Sequence, residues 1–365
     1  MKNHHILAVL LPVSVLFFII SCKSTPEETP AAPPDKPLAV TAEGPSQASL
    51  DDLNKAIARM EEARKRASDF ESVSYFPSDW ENVESQYVST GELPRSTEDE
   101  VRQAAVQYTT LADTYDNLFK QVIPLYAQDR EDEIVVARDE AVGTGLGDVF
   151  PDYLLDADRV VVQALAQYEG EDYYAAKDTW NLARTRYLAL KTGGDAYNKR
   201  MEIVDRDFIS YDPDNFNKAD EIGLAAADAY KAGNIEDALN GAEEAGLRYS
   251  LALKAAWSGY AAERGRAADQ ERQKALGLKA NVALKTEFDA ASANYNEAES
   301  FVKAEKYEDA AVLYSQSEAQ FTEIGKTAAE KRRDAEEAIR EAEQKILESE
   351  ETAKQAELIL EGGES

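Results

Sequence analysis

The chain predicts an all-α fold, an array of about four helical hairpins with extended second helices that forms an α-solenoid or elongated bundle. Three observations point there. Apolar residues recur at spacings of three and four, while alternating strand patterns are scarce. The body of the 365-residue chain is rich in Ala, Glu, Asp, Lys and Leu. It also repeats itself: the pattern around Ala176 returns around Ala238 and then, at a longer interval, around Ala310. Such self-similarity marks a repeat architecture.

Residues 1–21 come first. Lys2, with His4 and His5, forms a polar head, and Ile6 to Ile20 then runs without a charge, broken only by Pro12 and Ser14. That run is short of the ~20 apolar residues of a membrane span. It fits a cleaved export signal with a small residue, Ser21, before the cut. The segment Ile19-Ile20-Ser21-Cys22 resembles the lipobox of bacterial lipoproteins. The resemblance implies cleavage before Cys22, diacylglycerol on its sulfur and, usually, a further acyl chain on the new amino terminus. Together these supply the two signals that stable anchoring requires. Lys23 stands where many lipoproteins retained at the inner membrane carry aspartate.

Residues 22–49 read as the lipidated Cys22 and a disordered tether. Six prolines between Pro26 and Pro45 recur among Ala, Thr, Ser and Glu. Such a segment buries too little surface to fold, and its prolines keep it extended at ~3 Å per residue.

Residues 50–330 are the helical repeat domain. Without a gap, the register aligns Leu154, Phe216 and Phe288, then Ala157, Ala219 and Ala291, then Ala164, Ala226 and Ala298. Past the turn it aligns Tyr173, Ile235 and Tyr307, then Ala183, Ala245 and Ser317, then Tyr187, Tyr249 and Phe321. A weaker copy upstream carries Trp80, Val83, Val101, Ala104, Leu111 and Tyr115, with GELPRS inserted at its turn. The other turns read EGEDYYAA, AGNIEDAL and AEKYEDAA. A polar or glycine turn reverses the chain, the following aromatic or isoleucine covers the helix end, and alanine three residues on lets the two axes approach. Leucine at Ala238 is expected to overpack there. The stretch from Ile222 to Tyr249 resembles the tetratricopeptide repeat, whose turn carries Gly-x-Tyr-x-x-Ala. The period is far longer than the ~34 residues of that family, and its closing proline does not recur as a regular feature. The resemblance therefore implies related hairpins whose second helices run on, the third from Glu236 to about Ala283. Pro124 should kink or end a helix, and Asp214 should cap the helix that begins near Asn215.

Residues 331–365 form a charged C-terminal helix and short tail, ended by Gly362-Gly363. Its apolar positions are mostly alanine, which leaves a solvated single helix and a coiled-coil or partner-binding segment both open.

The residues that are missing bound the chemistry. Both histidines lie in the signal, and the one cysteine is the acylated one. That excludes Ser–His and Cys–His nucleophilic machinery, zinc sites built on His or thiolate, and intrachain disulfides. The formal charge is -30, or -31 without the signal's Lys2. It opposes nucleic acid and docking of the protein surface on anionic lipid. Gly143, Gly145 and Gly147 form GTGLG, but no strand precedes them and no helix start follows, so they read as a loop between repeats. Asp212 and Asp214 in YDPDNF lack the glycine and closing glutamate of a calcium loop. Among 70 acidic residues, paired carboxylates carry no specificity.

These readings predict no enzyme, and no catalytic, cofactor-binding or metal residue; the one assigned site is lipid attachment at Cys22. The expected protein is a lipid-anchored component of a bacterial envelope, its folded part in the periplasm or at the cell surface. It would act as a non-catalytic scaffold that binds another exported protein or envelope component. The alternative is a ligand-handling or accessory component of a periplasmic solute transporter, since the layout is similar to that of spirochaete lipoproteins that pair with solute-binding proteins. The interior separates the two expectations. A closed apolar cavity or through-pore suits the second, whereas a filled alanine core with an exposed groove suits the first.

Overall fold

The computed structural model describes residues 44–362. The expectations for residues 1–21, for Cys22 and for most of the tether lie outside the described residues. Within them, twelve α-helices and one 3-10 turn follow one another. They are α1 (Gln47–Asp69), α2 (Ser72–Tyr75), α3 (Pro77–Gly91), α4 (Glu98–Gly143), α5 (Leu146–Val149), α6 (Pro151–Glu169) and α7 (Tyr173–Asp205). After the 3-10 turn at Ile209–Tyr211 come α8 (Pro213–Lys231), α9 (Ile235–Gly277), α10 (Ala280–Ala283), α11 (Lys285–Lys303) and α12 (Tyr307–Gly362).

Four hairpins result, and in each the second helix is the longer: α3 with α4, α6 with α7, α8 with α9, and α11 with α12. Each long helix packs on its short partner and on the next long helix, so α4, α7, α9 and α12 form one continuous series. Helix α1 packs on α4 and takes the place of a preceding long helix. Among the described residues, no helix is long and apolar enough to cross a membrane.

The alanine register is the core. Ala157, Ala219 and Ala291 are fully buried, as are Ala176 and Ala310, with Ala238 nearly so. Small side chains at these crossings let the axes close up. Where serine replaces alanine, at Ser317, its buried hydroxyl donates to the Ala291 carbonyl at 2.9 Å.

The junctions repeat as faithfully as the core. Glu71, Gly145, Asp207 and Lys279 all adopt left-handed backbone where one long element ends. A single helical turn follows each, and then the next short helix begins. Pro77, Pro151 and Pro213 occupy the first turn of α3, α6 and α8, where a missing N–H costs nothing and the ring presets φ. A recurring proline thus opens three of the four short helices, a place distinct from the closing proline considered from sequence; the fourth copy, opening at Lys285, lacks it. Inside the hairpins Glu171, Gly233 and Glu305 are again left-handed. The N–H one residue later bonds five residues back, from Asp172 to Gln167, Asn234 to Ala229 and Lys306 to Phe301, each at 2.9 Å. This is a Schellman closure. The first hairpin, lengthened by GELPRS, restarts instead with a Thr97–Glu100 capping box.

Three boundaries differ from expectation, and Pro124, expected to kink or end a helix, does not end one. The repeat domain starts at Gln47 rather than 50, because the Ser46 hydroxyl caps α1 by accepting from the Ser49 N–H at 3.2 Å. Pro124 lies inside α4 without ending it. The burial of Val122, Ile123, Tyr126 and Ala127 around it outweighs a penalty of about 3 kcal/mol. Asp212, not Asp214, caps α8, accepting from the Asn215 N–H at 3.1 Å, because Pro213 takes the first helical position. Helix α9 stops at Gly277 rather than near Ala283, where the left-handed Lys279 turns the chain. Helix α12 passes residue 330 unbroken, but its last buried residue is Ala328, and from 329 to 358 every side chain is exposed.

Candidate functional site

Successive repeats are stitched together by a recurring trio of side chains. Near the end of α4, Arg138 donates to both oxygens of Asp158 on α6, at 2.8 and 3.0 Å. The buried hydroxyl of Tyr187 on α7 donates to the same carboxylate at 2.5 Å. One repeat on, Arg200 of α7 holds Asp220 of α8 at 2.9 and 3.2 Å, and Tyr249 of α9 donates to that aspartate. At the amino-terminal end, Arg64 of α1 holds Glu84 of α3 at 2.7 Å, and Tyr115 of α4 adds a bond at 2.8 Å. Hydrogen bonding from Arg138 holds the Asp158 carboxyl below its ordinary range, and Arg64 does the same for Glu84. Burial pushes the Tyr115, Tyr187 and Tyr249 hydroxyls up. In each trio the carboxylate takes two bonds from the arginine and one from the tyrosine hydroxyl, so these are positioning contacts.

The second feature is a cavity, and its cause is the length of α7. That helix has 33 residues against 46 in α4 and 43 in α9. The missing stretch lies between the tyrosine and the arginine of the trio. The path from Tyr187 to Arg200 is shorter than those from Tyr115 to Arg138 and from Tyr249 to Arg272. The difference is ~15 Å of helix, which draws the start of α6 toward the end of α8. Tyr230 donates to the Tyr153 carbonyl at 3.2 Å, their rings meet edge-on at 5.3 Å, and Lys231 lies over Tyr153 at 5.5 Å.

Behind this contact lies a cavity of about 410 Å³. Its lining includes Phe150, Tyr153, Tyr197, Leu224 and Tyr230, together with alanines such as Ala189, Ala196 and Ala242. Gly193 borders it with nothing within 4 Å of where a Cβ would stand. Leu224, 71 % exposed, marks the open side, and Lys231 and Asp228 supply charge among the lining residues. The cavity meets the trio at the paired Arg200 and Asp220. A concave, mostly apolar lining with a few fixed polar groups suits the binding of an apolar group.

A shallower groove of about 630 Å³ runs between α4 and α7, lined by Val136, Leu188, Arg184 and the carboxylates of Asp129, Asp132, Glu133 and Glu140. The GTGLG segment is a junction, with Gly143 ending α4 and Gly145 left-handed. Trp257 fills the next junction, edge-on to Phe208 at 5.1 Å, under the Arg206 guanidinium at 4.6 Å and donating to Glu202 at 3.3 Å. Among the described residues no group of three or more His, Cys, Asp or Glu side chains is arranged to hold a metal ion. Cys22, the one site residue expected from sequence, lies outside them. The cavity and the Arg–carboxylate half of the trio were not foreseen, although Arg138, Arg200 and Arg272 recur from copy to copy along the chain. No family model, curated protein or solved structure matches this chain.

Proposed function

We propose that this chain is a membrane-anchored lipoprotein of a bacterial cell envelope, tethered through lipid on Cys22. Its tetratricopeptide-like hairpins act as a non-catalytic scaffold for another exported protein. The observation that supports this reading best is the cavity at the shortened junction. It is open at Leu224, walled by aromatic rings and continuous with a core that alanine otherwise fills. An apolar side chain of a partner can enter such a cavity as an anchor, which is how a few buried aromatic or aliphatic groups dominate protein interfaces.

The alternative, solute handling for a transporter, calls for an enclosed chamber or through-pore. A solvent-open cavity in a filled alanine core favours the scaffold.

The test is site-specific photocrosslinking in intact cells from position 224, at the mouth, and from Val282, 74 % exposed but not among the cavity's lining residues. A defined protein adduct from 224 alone is expected. Identical adducts from both positions, or none from 224, would contradict the proposal. Anchoring is tested separately by Cys22→Ser, which should abolish palmitate labelling and release the protein from membranes.

A further inference from the structure

The stitch is complete in three repeats and incomplete in the fourth. The places held by Arg200, Asp220 and Tyr249 in the third copy are held in the fourth by Arg272, Ser292 and Phe321. The arginine is kept. The carboxylate has become a hydroxyl, and the phenol that bonded to it has become a ring without a hydroxyl. The consequence is visible in the hydrogen bonding. Arg272 Nε is buried without a partner, and so is Ser292 Oγ. In each of the three complete copies the corresponding Nε donates to the carboxylate, at 2.7, 2.8 and 2.9 Å. The atoms left over are thus a guanidinium edge and a hydroxyl at the place where the chain elsewhere puts an acid.

The chemistry of the missing group follows from its sister sites. A guanidinium matches a carboxylate through two parallel bonds, and Arg272 is steadied for that role by lying over the Tyr295 ring at 5.4 Å. Arg272 and Ser292 as residues are only partly buried, while Arg272 Nε and Ser292 Oγ themselves are buried, so an acid from solvent has to displace the side chains that cover them. Asp269 and Glu299 lie close enough to act on the Tyr295 hydroxyl. Such negative charge opposes any anion nearby, a dianion such as phosphate more than a monovalent carboxylate, and Arg272 has to outweigh it. We infer that the fourth repeat binds a carboxylate supplied from outside the chain, held on two sides by Arg272 and hydrogen-bonded by Ser292. The carboxylate belongs either to a small free acid or to the carboxyl terminus of a peptide, and the chemistry at Arg272 is the same. The inference stands apart from the cavity and does not rest on it.

The test uses the full chain, thermal unfolding and the arginine Nε–Hε NMR resonances, with sodium acetate compared against sodium chloride at equal ionic strength. Acetate should raise the unfolding midpoint above the chloride value and move one Nε–Hε resonance, the one missing from Arg272→Gln. Ser292→Asp, which restores the internal acid, should raise the midpoint without acetate and remove the acetate response. Arg272→Gln should also lose that response, so the inference stays testable if Ser292→Asp folds poorly. A short peptide with a free carboxyl terminus, set against its amide, separates the two sources. Peptide acting more strongly than acetate assigns the site to a peptide end, and equal action assigns it to any small acid. Equal responses of the native chain to acetate and chloride, or an unchanged acetate response in both variants, would overturn the inference.

Discussion

The buried hydroxyl of Tyr187 donates to Asp158 at 2.5 Å, and the carboxylate it reaches is already held by Arg138 of the preceding repeat at 2.8 Å. One aspartate thus joins three helices, α4, α6 and α7, and sets how far one hairpin is turned against the next. Tyr187→Phe removes a hydrogen bond to a charged acceptor and leaves the packing of the ring in place. The expected cost is ~1–2 kcal/mol, with Tyr249→Phe costing a similar amount. Urea unfolding of the two variants measures it, and midpoints equal to that of the native chain would show that the phenols do not stitch the repeats.

The same contacts predict how stability depends on pH. Asp158 and Glu84 have folded-state pKa values below their unfolded ones, chiefly through the arginine hydrogen bonds. Their contribution is present above the unfolded values near 4 and is lost as pH falls through the folded values. Tyr230 and Tyr314 shift the other way, pushed up to about 12 mainly by burial. What they contribute is present below the unfolded value of about 10 and is lost as pH rises toward 12. The unfolding midpoint should therefore be level in between, with a loss on each side. A tyrosinate absorbance titration should show these buried rings ionising only with the alkaline loss, and a midpoint that holds steady between pH ~5 and ~3 would contradict the acid half.

Ala176 and Ala238 hold the same place in successive hairpins, yet only Ala238 borders the cavity. Ala176→Leu should cost ~1–3 kcal/mol by overpacking. Ala238→Leu should cost less, because the empty volume takes up the added methyls. Equal losses in thermal unfolding would show that the cavity does not reach Ala238.

From residue 329 to residue 358 every side chain of α12 is exposed. Removing residues 332–365 should leave the unfolding free energy within ~0.5 kcal/mol of the native value, while the helical signal in circular dichroism falls. A larger loss would mean that the exposed half packs on the bundle.

The alanine columns could be read from the sequence because a close helix crossing admits only small side chains, at a spacing that the backbone sets. The tyrosine column ending at Phe321 could be read for the same reason. The Arg138–Asp158 half of the stitch could not. Half-exposed charges look like ordinary solvated surface in a chain with 40 basic and 70 acidic residues, and only the fold shows that they meet. The prolines were in view at 77, 151 and 213, but their shared role depends on junctions whose left-handed residues differ in type, from Glu71 to Gly145 to Asp207. The cavity was hidden for another reason. Its origin was in plain sight, since Ala176 and Ala238 stand closer in sequence than Ala238 and Ala310. Its effect, however, appears well away from those alanines, where Tyr153 meets Tyr230.

Gly193 gives the most direct access to the claim that this cavity receives a partner. A Cβ there meets nothing within 4 Å and Gly193 lines the cavity, so leucine is expected to take up part of its volume. Replacing a helical glycine should raise stability by up to ~1 kcal/mol. The decisive measurement is the crosslinking yield from position 224 in cells carrying Gly193→Leu, alongside the unfolding midpoint of the same variant. The predicted result is loss of the adduct with the midpoint unchanged or raised; an adduct of undiminished yield from a stable, cavity-filled protein would contradict it.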